Sequence, residues 1–312
     1  MTAFGWVQSV SVNGTELADP RFAIETIAAG TPSWRGTDLI PAMGHGGSWR
    51  RKRLGASNET WTMWVCDAKA DGSFYQSTAA GAPITGTISD TGKKQQYAQF
   101  NANLDEIKEL LYTSHKASGY DAPLMVVKKL QSNAASPANI YRVNYGEVVT
   151  PIKITESDFN YARFTASVDY LDPRWYECNS AGVKTDSTMQ SGSGTEADAD
   201  PGGTAVTTRM TIKLTAVGAS VANPWVQNVT TGSKLTWSGT LDDGDHITFD
   251  TEAYTATLVD VSDSNATTYP TGNVDRTGST TIDWFELRPG VTNDINKKTN
   301  INVVITYSKA YI

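Results

Sequence analysis

Residues 284–295 read Trp284-Phe285-Glu286-Leu287-Arg288-Pro289-Gly290-Val291-Thr292-Asn293-Asp294-Ile295, and the last eight read Ile305-Thr306-Tyr307-Ser308-Lys309-Ala310-Tyr311-Ile312. The first stretch spells a strand, a Pro-Gly turn carrying Asn, and a second strand. Pro289 presets φ for the turn and Gly290 supplies the positive φ that follows, so the reversal is built into the sequence. The closing stretch is aromatic and aliphatic. Nothing in either stretch is a chemical motif; both are architecture.

Upstream of this turn the same style continues. Val206 to Val217 reads as a strand, Asn223-Pro224 breaks the run, and Lys234-Leu235-Thr236-Trp237-Ser238 follows. Asp242-Asp243-Gly244-Asp245 turns into His246-Ile247-Thr248-Phe249-Asp250, and Ala253 to Leu258 returns. Short strands about every 8–12 residues with turn signals between them are the pattern of a β-sandwich. A second domain is therefore expected over 205–312. Before it, 179–204 is rich in Ser, Gly, Thr, Asp and Glu with almost no aliphatics, and cannot offset its ordering entropy by burial. It reads as a flexible linker or loop.

The first domain is expected over 1–178. Trp6 to Val12 alternates and runs straight into Asn13-Gly14, a strong short-range hairpin signal, with a partner through Leu17 and Phe22 to Ile27. Gly44 to Arg53 is a basic loop. In Glu59-Thr60-Trp61-Thr62-Met63-Trp64-Val65, Trp61, Met63 and Val65 share one face, the period of a half-buried strand. Residues 71–96 carry few aliphatics and read as a long exposed loop or arm. Phe100, Leu104, Ile107, Leu110 and Leu111 recur at helical spacing. They predict one helix from Gln99 to about His115, capped by Asn101 or Asn103, with Gly119 after its end. Strands follow over Leu124–Leu130, Ile140–Val149, Ile152–Thr155 and Tyr161–Tyr170. In the last, Phe164, Ala166, Val168 and Tyr170 form one face.

One family shares these features. The series Asn223-Pro224, Asn228-x-Thr230-Thr231-Gly232, Leu235-x-Trp237, Leu241-Asp242-Asp243-Gly244-Asp245, Ile247-x-Phe249-Asp250 and Phe285-Glu286-Leu287-Arg288-Pro289-Gly290 resembles the galectin-like C-terminal domain of distal tail proteins. These are the ring-forming baseplate hub (minor tail) proteins of long-tailed siphophages. The basic loop, the Glu59–Val65 strand and the exit Asp172-Pro173-Arg174-Trp175-Tyr176 are similar to the N-terminal domain of that family, in particular in actinobacterial phages. The resemblance is specific over 205–312 and diffuse over 1–176. It implies a mainly β chain: an N-terminal β-sandwich or split barrel with one α-helix, then a galectin-like β-sandwich. It also implies a homo-oligomeric, hexameric ring between tail tube and tape measure proteins above and tail-tip, baseplate and side-fibre proteins below. Its place would be the virion tail tip, assembled in the host cytoplasm.

Composition agrees with a structural part. The chain has 312 residues, enough for two domains with full cores, and its 39% hydrophobic content comes with 26 Gly, 9 Trp and 13 Tyr. A net charge of −7 argues against tight nucleic-acid binding and suits a channel wall that DNA passes without sticking. No run reaches the ~18 apolar residues of a membrane span, and Met1 to Trp6 has no signal-peptide character. Cys66 and Cys178 read as buried thiols of a protein made in a reducing compartment. Asn13, Asn58, Asn228 and Asn265 fall in Asn-x-Ser/Thr sequons, read here as turn-rich composition.

Each candidate site has a plainer reading. Asp242, Asp243 and Asp245 offer the oxygens that calcium wants, but a hairpin turn rich in Asp and Gly is the commoner use. Glu196, Asp198 and Asp200 have i, i+2 spacing and lack the bidentate Glu that should follow. His45, His115 and His246 are far apart in sequence, with no HExxH. Trp34, Trp49, Trp225 and Trp237 would line a sugar groove only if exposed and coplanar, and core packing serves them equally well. Arg50, Arg51, Lys52 and Arg53 would contact nucleic acid or pair with a neighbour's carboxylates, or lie on a solvated loop. No GxSxG and no phosphate-binding Gly-Lys-Ser/Thr is present. No residue is nominated as catalytic, metal-binding or cofactor-binding. The alternative to a tail hub is a carbohydrate- or receptor-binding tail component using the second domain.

Overall fold

The computed structural model describes residues 7–30, 34–35, 40–41, 47–48, 53–74, 90–112, 123–131, 139–149, 152–158, 160–191, 200–262, 265–269, 274–277 and 285–312. These belong to two compact units, Met1–Pro173 with Cys178–Val183, and Arg174–Glu177 with Lys184–Ile312.

The first unit is built on one antiparallel sheet. Its order is Thr15–Glu16, Val7–Val12, Leu124–Gln131, Asn139–Val148, Tyr161–Tyr170, Ser57–Cys66, Phe22–Ala29 and Ala18–Asp19, with Lys153–Asp158 also paired to Tyr161–Tyr170. Its spine is the ten-residue ladder from Tyr161↔Cys66 to Tyr170↔Ser57. Both strands alternate buried and half-buried without a break. Trp61, Met63, Val65, Phe164, Val168 and Tyr170 are thereby wholly buried, each contributing on the order of 2 kcal/mol of transfer free energy. The Asn13-Gly14 turn forms as expected, with both residues at positive φ, but its return strand is only Thr15–Glu16; Phe22–Ala29, read as part of that partner, pairs with Ser57–Cys66 instead.

The helix departs from its predicted bounds. It runs Asp90–Leu111, beginning inside the segment read as a loop. The apolar stripe Phe100, Leu104, Ile107 and Leu111 is buried. Its first turns are Lys93, Lys94, Gln95 and Gln96, good helix formers that carry no hydrophobic period. Asn101 and Asn103 therefore lie mid-helix and cap nothing. Asn103 is fully buried instead, donating to the carbonyls of Cys66 (2.7 Å) and Ala68 (2.8 Å) and accepting from Gln99 (2.8 Å). It pins the helix to the end of the central strand, and Arg21 adds an ion pair to Glu106. Residues 75–89 and Gly119 lie outside the described residues.

The second unit has two principal sheets. The larger has the order Asp186–Ser191, Ile301–Ser308, Met210–Ala216, His246–Asp250, Thr255–Asp260 and Asn265–Tyr269. The smaller has the order Val274–Thr277, Ser233–Trp237, Trp225–Asn228 and Ile295–Lys297. One core joins Ile212, Leu214, Phe249 and Ile305 to Val226, Leu235, Phe285 and Leu287. The segment 179–204 departs from its linker reading: Asp186–Ser191 is a strand, paired from Asp186↔Ser308 to Ser191↔Val303. Met189 is the one apolar side chain it buries in that core, too weak a signal to read from sequence. Past Ser308 the chain stays in this unit, where Tyr311 and Ala310 pair with Trp175 and Tyr176.

Candidate functional site

The Pro289-Gly290 turn and the residues round it form a hydrogen-bonded unit. Gly290 has φ +72°, as the turn requires. Asn293 is fully buried and uses its whole amide. It donates to the carbonyls of Arg288 (2.9 Å) and Val291 (3.1 Å), and accepts from the Arg288 amide (3.0 Å) and from Asn228 Nδ2 (2.9 Å). Asn228, also fully buried, donates again to the Glu286 carbonyl (2.8 Å) and accepts from the Thr230 amide (3.1 Å). Asp200 accepts from the amides of Gly290 (3.0 Å) and Gly202 (2.8 Å). The side-chain amides of Asn228 and Asn293 are thus spent on holding the loop.

A second polar cluster lies in the first unit. Glu59 occupies an inward position of Ser57–Cys66 and is buried. One carboxylate oxygen pairs with Lys128, and the other accepts from Trp61 Nε1 (3.1 Å) and the Tyr170 hydroxyl (3.1 Å). Burial holds the Lys128 ammonium below the usual lysine range, against the pull of Glu59. Burial likewise pushes the Tyr170 phenol well above 10, with Glu59's charge adding to it. Sequence reading passed over this cluster. The available signal was a charged residue at position 59 on the inward phase with Trp61, Met63 and Val65.

Asp242 accepts from Ser220 Oγ (2.7 Å) and Asp243 from the Gly218 amide (2.6 Å). Asp245 accepts from the amides of Val261 (2.9 Å) and Asp242 (3.2 Å). The three carboxylates thus tie turns together, and no metal-sized group of His, Cys, Asp or Glu occurs among the described residues. His246 lies on its strand, its imidazole pushed below the usual range by burial and by the charge of Lys213. Trp237 is in the core, whereas the Trp225 ring is half-buried with Lys234 Nζ at 4.5 Å from its centroid. Cys66 is half-buried and Cys178 buried, both as free thiols. The buried side chain of Asn228 leaves no room for a glycan at that sequon. His45, His115, Glu196, Asp198, Trp49, Arg50, Arg51, Lys52 and Trp284 lie outside the described residues, as do the side chains of Trp34 and Arg53.

One surface feature of the first unit invites a partner. All six residues of Lys153–Asp158 are exposed, and among the described residues the strand is hydrogen-bonded on one side only, through Tyr161–Tyr170. An edge of this kind offers its outer side to a further strand.

The chain aligns over 97% of its length, and over 99% of the other chain, with the distal tail (Dit) protein of phage SPP1, described as a paradigm of hub adsorption apparatus in Gram-positive infecting phages, at TM-score 0.56 and 14% identity. The protein therefore has the distal tail protein fold from end to end. Baseplate structures of phage P2 in the activated conformation, with calcium and with strontium, align over 97% and 96% of this chain and 98% and 97% of theirs, at TM-scores of 0.40 and 0.34 and 8% identity. No protein-family model and no curated protein sequence matches the chain.

Proposed function

We propose that this chain is a structural distal tail protein of a long-tailed phage, forming a hub that joins the tail tube to the tail tip or baseplate. The observation that carries this reading is end-to-end agreement with the fold of a phage hub protein, at 97% coverage of this chain. The first unit is the ring-forming part, and the second projects outward as a spacer or a dock for side fibres. Copies of the chain close into a hexameric ring. The exposed Lys153–Asp158 edge supports such closure, since a head-to-tail contact repeated round a ring covers open sheet edges. The tail tube and tape measure proteins lie above it and tail-tip proteins below. DNA passes the centre without sequence-specific contact, for which a net charge of −7 is suited. Its place is the virion, after assembly in the host cytoplasm, and no residue is assigned a catalytic role.

Light scattering combined with negative-stain microscopy of the purified protein tests this. A six-fold ring with an open centre is expected, alone or on addition of the tail tube protein. A monomer under both conditions would overturn the reading.

A further inference from the structure

The second unit contains a pocket that the architecture does not require. It holds about 170 Å³ and is lined in part by Tyr176, Lys184, Arg209, Glu252, Asp186 and Asp250. That is below the several hundred Å³ of a drug-sized ligand's site, so its occupant is one small group.

Two cations share its floor. The buried ring of Tyr176 has Lys184 Nζ at 4.6 Å from its centroid and the Arg209 guanidinium carbon at 5.9 Å. The electron-rich ring attracts both positive groups, and offsets part of the repulsion between them. Their common counter-charge is Glu252, whose Oε1 lies 2.7 Å from Arg209 and whose Oε2 lies 3.9 Å from Lys184. The second distance is too long for a hydrogen bond. The Lys184 ammonium, with a side chain only 27% exposed, thus makes no hydrogen bond to any described residue. Asp186 and Asp250 are otherwise engaged: Asp186 accepts from Ser308 Oγ (3.3 Å), and Asp250 accepts from the amides of Glu252 and Ala253 (both 2.9 Å).

Glu252 is the movable member. Its backbone is fixed by Asp250, but its side chain is 51% exposed on the turn after His246–Asp250. The pocket's charged lining is two cations against three carboxylates, a formal net of −1 (2 − 3). A further anion entering beside Glu252 would be repelled, whereas a monoanion that replaces it leaves the charge balance as it was, and a phosphoryl dianion adds no more than one further negative charge.

We propose that this pocket binds the oxyanion of a small ligand, a carboxylate or phosphoryl group, between Lys184 and Arg209, with Glu252 swinging out to admit it. Glu252 is then an internal competitor that keeps the site closed and the affinity modest. The same chemistry is offered by a free inorganic anion and by the acid group of a sugar.

The test uses the full chain, titrated with inorganic phosphate, glucuronate and glucose at constant ionic strength, with the amide resonances of Lys184 and Ala253 followed. Saturable shifts are expected with at least one of the two anions, at a dissociation constant on the order of 1 mM. Lys184→Met keeps the stem over Tyr176, removes the charge, and should weaken binding about tenfold. Glu252→Gln removes the competitor and should strengthen binding about fivefold, a gain that damage to the fold cannot imitate. Tighter binding of phosphate assigns the group to a phosphoryl source, and tighter binding of glucuronate to an acidic sugar. Shifts absent with both anions, equal with glucose, or unchanged by Lys184→Met would overturn the proposal.

Discussion

At the scale of single residues, the polar groups of this protein are placed to fix geometry. Asn293 satisfies four partners from a fully buried position, so its removal strands the Arg288 amide, two carbonyls and one donor of Asn228. Asn293→Ala should cost roughly 3 kcal/mol, from the desolvation of unpaired groups, and a denaturant titration of the second unit checks it. Glu59 and Lys128 make a sharper case, because a buried ion pair is costly to break and cheap to replace. Lys128→Met alone should destabilise the first unit by roughly 3 kcal/mol. Adding Glu59→Gln should restore much of the loss, read from a double-mutant cycle; additive losses would mean the pair is not coupled. His246 gives a pH signature. Its folded pKa is depressed, so the unfolded chain takes the proton first as pH falls below 6.5. Stability from this group is complete above 6.5 and is lost as pH falls through the folded value. His246→Gln should flatten the thermal midpoint's dependence on pH below 6.5.

At the scale of elements, what could be read from sequence was whatever carried a hydrophobic period. Trp61, Met63 and Val65, and Phe164, Ala166, Val168 and Tyr170, predict their strands and inward faces correctly, because one face is buried along the whole ladder. The Pro289-Gly290 turn was legible from turn chemistry, whereas the stretch before it, read as a strand, makes only an isolated bridge from Leu287 to Thr207, because its polar groups go to Asn228 and Asn293 instead of a ladder. The helix was legible only where Phe100 to Leu111 repeat, and its first turns were hidden because Lys93 to Gln96 are polar. Asp186–Ser191 was hidden for a related reason: an edge strand with Ser, Thr and Gln needs its neighbour to define it. The polar pins, Asn103 and Glu59, could not be assigned because the partners that tie them to other elements, the Ala68 carbonyl and Lys128, lie 35 and 69 positions away. Asn103→Ala removes the helix's bonds to the Cys66 and Ala68 carbonyls, and should cost about 2 kcal/mol. Amide exchange should then speed up in Asp90–Leu111 before it does in the Ser57–Cys66 strand.

At the scale of the molecule, the compact units cut the chain in an unexpected place. A sandwich beginning at 205 would lack Asp186–Ser191, the strand that covers the outer edge of Ile301–Ser308 and contributes Met189 to the core. It would also lack Trp175 and Tyr176, the partners of Tyr311 and Ala310. Buried Tyr307 lies on the strand that would lose its edge neighbour. A fragment covering 174–312 keeps all of these contacts and should unfold cooperatively. A fragment covering 205–312 loses two backbone pairings and exposes one long flat edge, which invites self-association. Circular dichroism melts and light scattering of the two fragments separate these outcomes. The longer should be monomeric with one sharp transition, the shorter broad in melting or aggregated. Equal melting of both would mean that the sandwich closes without its leading strands, and that 174–191 belongs to it only by proximity.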